Sequence, residues 1–146
     1  KWPNDVLLNG GKIAGILLEA VNDGTQVIRL HIGIGVNLAH APRDVPDAAF
    51  APVGLADVTG QAVAPADFLP ILAHAFARYE AQMHTHGFAP IRTAWLSRAA
   101  RLGQTITART AQGDIMGLFD GIDVGGNLIV LTNGTRTVIP AADVYF

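Results

Sequence analysis

The densest polar chemistry of the chain lies at its start. Lys1-Trp2-Pro3-Asn4-Asp5 is followed, past an Asn9-Gly10-Gly11 turn, by Lys12-Ile13-Ala14-Gly15-Ile16-Leu17-Leu18-Glu19. Two ammonium groups, an amide and a carboxylate are thus set among apolar residues. Charges drawn into such surroundings need an opposite partner or a charged ligand, because nothing apolar replaces their hydration. The plainer alternative is that Asn4 and Asp5 cap a turn while Lys1 and Lys12 run their stems along apolar surface and keep their heads in water. Gly33-Ile34-Gly35-Val36-Asn37 is a second candidate. Taken alone, its Gly-x-Gly reads equally well as a strand packed closely against a neighbour. The five histidines invite a metal reading, above all the pair His84-Thr85-His86, but that pair has no carboxylate or cysteine with it at ligand spacing. A solvated helix end with a favourable dipole contact accounts for that pair, and no metal site is expected there.

The elements that must position these groups follow from pattern. Residues 1–8 read as a strand, Asn9-Gly10 as a hairpin turn because both residues tolerate positive φ, and residues 12–21 as the return strand. Asn22-Asp23-Gly24 turns the chain again into residues 26–34, giving three antiparallel strands. Residues 38–64 hold five prolines or glycines and read as a long surface loop. Asp67 is placed to cap a helix with Pro70 in its first turn. Phe68, Leu72, Ala75, Phe76 and Tyr79 form its apolar stripe, and Gly87 ends it. A second helix over residues 90–100 puts Ile91, Ala94, Trp95 and Arg98 near one face and closes at Leu102-Gly103. From Gln104 the period drops to two. Turns at Gln112-Gly113, residues 123–127 and Asn133-Gly134 separate four or five short strands, the pattern of a small barrel. The switch in periodicity places a domain boundary near residue 101.

Composition narrows the function classes. The chain has 146 residues, half of them apolar, enough for one sizeable core or a medium domain with a small companion. A formal charge of -2 without a basic cluster gives no footprint for a nucleic-acid backbone. The absence of cysteine excludes thiolate chemistry and disulfides, and fits a reducing cytoplasm. No apolar run approaches the roughly 20 residues needed to span a bilayer, so no membrane partner is expected.

The string KWPND, a hairpin and then KIAGILLE closely resembles the catalytic signature of the biotin protein ligases. Gly33-Ile34-Gly35-Val36-Asn37 is similar to that family's Gly-x-Gly-[Ile/Val]-Asn strand end. Trp95, Leu102-Gly103, Gly117-x-Phe119-x-Gly121-Ile122-Asp123, Gly126-x-Leu128 and Gly134 resemble its C-terminal SH3-like domain. The likeness is weakest in the 38–64 loop, where relatives often carry Ala-Thr-Ser-Leu and this chain has Gly54-Leu55-Ala56-Asp57. The resemblance implies an α+β fold. Residues 1–100 are the second half of a class II synthetase-like, biotin/lipoate ligase-type catalytic domain, an antiparallel sheet with helices, and residues 101–146 are the SH3-like barrel.

The resemblance also implies an activity. Biotin and ATP, the latter with Mg2+, form biotinyl-adenylate and pyrophosphate, and the biotinyl group passes to a lysine of a biotin carboxyl carrier domain. Lys12 is then the catalytic cation between the biotin carboxylate and the α-phosphate. Asn4, Asp5, Lys12, Gly35 and Asn37 are expected to serve the nucleotide, Asn4 and Asp5 on its phosphate and metal side and Asn37 by hydrogen bonding the adenylate. The main chain at Gly15, Ile16 and Leu17 is expected to line the valeryl tail of biotin. In this family a glycine- and arginine-rich phosphate loop and the strands that grip the ureido ring precede KWPND. The chain therefore reads as a fragment, expected to leave its core incompletely buried and to have little ligase activity alone. A homodimer is compatible with these residues. Two other readings stay open, a non-catalytic ligand-binding or interaction module built on the same fold and a lipoate-type ligase.

Overall fold

The computed structural model describes residues 1–42, 45 and 49–146. The fold is mixed α+β with antiparallel sheets, and its described residues group into two compact units, Asn4–Pro65 and Lys1–Pro3 with Ala66–Phe146. That grouping does not divide at residue 101, because apolar residues of the second predicted helix pack against the C-terminal strands.

In the first unit, β1 (Asp5–Leu8), β2 (Gly11–Asn22) and β3 (Val27–Val36) form an antiparallel sheet in that order. Asn9 and Gly10 make the first hairpin at φ 49° and 84°, the left-handed pair that a two-residue connection between right-twisted strands requires. β1 starts at Asp5 and not at Lys1, which corrects the predicted strand over residues 1–8. The physical reason lies at Trp2, whose side chain is committed to the core of the other unit.

The 38–64 segment also departs from a plain loop. Leu55–Thr59 forms a short helix, α1, and Pro52 makes a parallel bridge to Lys12. Part of that predicted loop, at residues 43, 44 and 46–48, falls outside the described residues. Among the described residues of this unit, apolar side chains of the sheet such as Leu18 and Leu30 are exposed.

The second unit contains α2 (Pro65–His86), α3 (Phe88–Leu96) and β4 (Thr105–Thr110), β5 (Gly113–Ile122), β6 (Leu128–Thr132), β7 (Thr135–Ile139) and β8 (Asp143–Tyr145). α2 begins at Pro65, two residues before the predicted cap. Proline suits that position because the first amides of a helix have no intrahelical acceptor. Asp67 instead supplies a first-turn carboxylate to the positive helix end, and Pro70 lies inside the helix. Gly87, at φ 70°, ends α2 as predicted, and its amide bonds the Met83 carbonyl at 2.9 Å. α3 is shorter than predicted and gives way at Ser97.

The five strands run antiparallel in the order β7-β6-β5-β4-β8. Every one of them contributes to a single core: Ile106 and Ala108, Phe119 and Ile122, Leu128 and Val130, Ile139, and Val144. A sheet that turns side chains from all its strands onto one another is curled, as in small SH3-like barrels. Trp95 and Leu96 of α3 pack against this core, Trp95 edge-on to Phe119 with ring centroids 6.3 Å apart.

Candidate active site

Strand alternation assigns a face to each polar group. Asp5 of β1 pairs with Gly15 of β2, and Gly15 pairs with Gly35 of β3, so the three lie in one row across the sheet. Side chains directly opposite one another in adjacent strands share a face. Asp5 therefore projects over two residues that have no side chain.

Lys12 is three residues from Gly15 and would point to the other face in a regular strand. The β1–β2 register shifts between Val6 and Leu7: Val6 faces Ala14 and Leu7 faces Lys12, which leaves Ile13 as an extra residue in β2. This bulge returns the lysine to the glycine face. A Cβ placed on Gly15 would meet Lys12 Cε at 3.4 Å and Nζ at 3.6 Å. The Lys12 ammonium stands 2.7 Å from Asp5 Oδ1, the lysine side chain 43% exposed and the carboxylate 11%. A charge-assisted bond of that length to a nearly covered acid fixes an otherwise flexible side chain.

The main chain of Lys12 is held as firmly as its side chain. Its amide donates to the Ala51 carbonyl and its carbonyl accepts from the Val53 amide, both at 2.9 Å. Gly11 permits this approach, since a Cβ there would overlap the Val53 side chain. Asn37, just beyond β3, donates from Nδ2 to the Val53 carbonyl at 3.1 Å and to the Lys12 carbonyl at 3.4 Å, and its amide bonds the Ile13 carbonyl at 2.9 Å. The donor side of the Asn37 amide thus ties the lysine strand to the 51–53 segment.

These residues border a cavity of about 620 Å³. Asp5, Lys12, Gly15, Gly35 and Asn37 line it, and much of the rest is apolar, including Val36, Phe50 and Pro52. A lysine–carboxylate pair on an apolar cleft of this size is the arrangement expected of a site for a partly apolar, anionic small molecule.

Five of the eight sequence-predicted site residues thus come together. The other three do not line the cavity. Asn4 accepts from the Ile16 amide at its carbonyl and donates from Nδ2 to the Ile16 carbonyl, both at 2.9 Å, so it clasps β1 to β2. Ile16 has its main-chain groups in that clasp, and Leu17 is exposed. Sequence reading missed the whole 49–53 wall, because nothing local to Phe50, Pro52 or Val53 signals a partner some forty residues earlier. Among the described residues no group of three or more His, Asp or Glu side chains comes together as a metal cage, and no helix is long and apolar enough to cross a membrane.

Two family models match the chain: the Biotin/lipoate A/B protein ligase family over residues 1–37 and the Biotin protein ligase C terminal domain over residues 102–146. The chain is 57% identical to a biotin–[acetyl-CoA-carboxylase] ligase of Paracoccus denitrificans, an alignment that takes in 100% of the chain and 62% of that protein. It is 36% identical to the bifunctional ligase/repressor BirA of Bacillus subtilis over 99% of the chain and 45% of that protein. The chain therefore spans less than two thirds of the length of either relative. Among solved structures, the apo structure of biotin protein ligase from Aquifex aeolicus is similar in fold, with a TM-score of 0.81 at 23% identity, covering 98% of this chain and 62% of that one.

Proposed function

We propose that this chain, which by its two matched models and its end-to-end likeness to ligases belongs to the biotin protein ligase family, supplies the adenylate-handling part of a ligase that biotinylates a carrier protein. The observation that carries the reading is the Lys12 ammonium, set over Gly15 and 2.7 Å from Asp5 on the 620 Å³ cavity.

The chemistry needs a fixed cation. A biotin carboxylate must approach the α-phosphate of ATP, and two unit charges about 4 Å apart repel by roughly 4 kcal/mol at an effective dielectric of about 20. Lys12 offsets that repulsion. A carboxylate oxygen then attacks the α-phosphorus and pyrophosphate leaves, giving the mixed anhydride. In the second half-reaction the amine of the carrier lysine attacks the biotinyl carbonyl, loses a proton and expels AMP. Lys12 acts in both as an electrostatic stabiliser and never as the nucleophile.

The other residues orient the two substrates. Gly15 and Gly35 let ligand atoms approach the sheet, and the apolar wall suits an aliphatic tail or a base. Asn37 keeps the lysine strand in register and presents the rest of its amide to the adenylate. Asn4 acts on the phosphate side through the clasp that delivers Asp5. Ile16 supports the tail pocket through the backbone clasp with Asn4 that holds β2 beside Gly15, and Leu17 follows it in the same strand. Mg2+, when it arrives with the triphosphate, supplies charge neutralisation to the leaving group. The Asp5 carboxylate fits an ion that keeps most of its water and needs few protein ligands.

The acceptor is the biotin carboxyl carrier domain of a biotin-dependent carboxylase, which the name of the Paracoccus relative supports. A domain boundary at residue 101 is supported by the C-terminal match, which begins at residue 102. We place the enzyme in the cytoplasm, with a homodimer as an open assembly. This chain alone should be inactive or nearly so.

One of the matched models spans biotin and lipoate ligases together, so substrate identity is tested directly. Pyrophosphate exchange is measured with biotin, lipoate and octanoate, on this chain and on a version extended upstream to the length of its relatives. Exchange with biotin only in the extended protein is the expected result. Exchange with lipoate alone overturns the substrate, and biotin binding without exchange replaces the ligase reading with a binding module.

A further inference from the structure

Gly54-Leu55-Ala56-Asp57, which the ligase signature does not account for, lies against the end of β3 that carries Asn37. The Leu55 amide donates to the Asn37 carbonyl at 2.8 Å, and the Ala56 amide donates to the Leu38 carbonyl at 3.0 Å. Farther along, His40 Nδ1 stands 2.8 Å from Asp57 Oδ1. An ionised carboxylate only accepts, so Nδ1 carries the proton and donates, whether or not the ring is charged. Residues 37–40 and 53–57 thus run side by side, with Asn37 Nδ2 bonded to the Val53 carbonyl at one end and a side-chain pair closing the other.

Gly54 lets the two segments meet closely. A Cβ there would come within 2.6 Å of the Ala39 carbonyl oxygen and 2.9 Å of His40 Cα. The same glycine gives α1 no side-chain cap, so the first turn of this five-residue helix is held from outside. Asp57 stands in that first turn, and His40 ties it to the segment that follows β3.

This seam leads directly into the wall of the cavity. Phe50 and Pro52 line that wall, and Ala51 and Val53 hold both main-chain groups of Lys12 at 2.9 Å. The wall is therefore tied on one side to the lysine strand and on the other to residues 37–40. We infer that His40 and Asp57 are positioning residues: by closing the seam they seat the 50–53 wall against the lysine strand, and so set how tightly the cavity holds the nucleotide. Neither side chain lines the cavity, so their effect passes through the wall. The kinetic consequence rests on the ligase reading, whereas the seating of the wall stands apart from it.

The test follows pyrophosphate exchange with biotin in the upstream-extended protein carrying His40→Ala, Asp57→Ala, both together, Asp57→Asn or Thr59→Ala. The two side chains are 80% and 48% exposed, and exposed pairs are weak, so each alanine variant should raise the KM for ATP about 3–5-fold with kcat within about twofold. The double variant should do no more than the larger single one, because the two changes remove one contact. Asp57→Asn keeps an acceptor and should bring KM back to within about 1.5-fold of the wild type. Thr59→Ala removes a 2.7 Å bond to the Leu55 carbonyl inside α1 without touching residues 37–40, and should leave KM unchanged. Hydrogen exchange of the Lys12 and Val53 amides, which bond across the wall, should quicken about threefold in His40→Ala and not in Thr59→Ala. An unchanged KM in both single alanine variants would overturn the inference, as would additive losses in the double variant or an equal loss in Thr59→Ala. If the wild type shows no exchange with any acid, the ligase reading fails and the two amides alone decide: quickened exchange in His40→Ala keeps the positioning role, and unchanged exchange removes it.

Discussion

Of the apolar residues buried among those described, Ala14 alone belongs to the unit with the three-stranded sheet, while the nine others, Trp2 among them, belong to the unit with the barrel. The contrast in polar groups runs the other way. In the sheet unit an ammonium and a nearly covered carboxylate meet on the wall of a large cleft. In the barrel unit the ion pairs, such as Arg109 with Asp114 and Arg136 with Asp120, involve a guanidinium exposed on the surface. One region closes on itself and is made stable by packing; the other holds open a space that a packed core would fill. A binding site for a charged molecule cannot also be a dense apolar core, and here the two demands fall to separate parts of the chain.

The sharpest way to break this division is a pair of substitutions with opposite expected readouts. Lys12→Ala removes the cation but keeps the main-chain bonds of residue 12 to Ala51 and Val53, so the fold should persist. Exchange activity of the extended protein should fall about 10²–10³-fold, the usual loss when one preorganised electrostatic partner is removed. Lys12→Arg should also impair it, because a planar fork does not replace a compact ammonium. Leu128→Ala should do the reverse. Leu128 is 0% exposed, and truncating such a side chain costs about 2–5 kcal/mol, to be read from denaturant unfolding. Should Lys12→Ala unfold the protein while Leu128→Ala leaves its stability untouched, the assignment of chemistry to one unit and stability to the other is wrong.

How much of this was legible beforehand differs between the same two regions. The barrel strands declared themselves through alternation and Gly-containing turns, because β4 to β7 pair as successive hairpins between neighbours close in sequence, whereas the return of β8 to β4 left no local sign. The hairpin carrying Lys12 was equally plain from Asn9-Gly10. The face on which Lys12 emerges was not, since it depends on a single extra residue, Ile13, and on a segment forty residues away that clamps both main-chain groups of the lysine. Trp2 was misread for a related reason. Its partner, Gly126, is 124 positions on, and residues 1–8 look like one continuous strand until that contact is known. Asn4 and Asn37 were singled out as polar groups for a nucleotide, and their observed bonds are to the backbone, which residue type alone does not foretell.

A milder substitution sharpens the picture of the cleft. A Cβ on Gly35 would meet nothing within 4 Å, and Gly35 is not among the glycines with positive φ, so Gly35→Val should be tolerated by the backbone. The added atoms would enter the space beside Asp5 and Gly15. Biotin or adenylate binding, measured by calorimetry on the extended protein, should weaken about tenfold or more, about 1.4 kcal/mol or more, with the melting temperature nearly unchanged. Unaltered affinity would mean that the ligand does not use this row of glycines.

The smallest expected effect concerns the turn behind Trp2, and its sign follows from Asp123. Hydrogen bonding from the Asn127 side chain, followed by the Asn127 amide, holds the Asp123 carboxyl below its ordinary value of 3.8. A carboxylate whose folded value is depressed stabilises the native state above its unfolded value, and that contribution disappears as pH falls through the folded one. The turn over residues 123–127 should therefore loosen below about pH 4. Because that turn holds the Gly126 carbonyl, the indole Nε1 proton of Trp2 should exchange faster at the same pH, before the barrel itself unfolds. Asp123→Asn, which cannot titrate, should remove the pH dependence of that exchange while leaving the β6–β7 hairpin amides protected. If the indole proton follows global unfolding at every pH, the Gly126 acceptor is held by the barrel strands and not by Asp123.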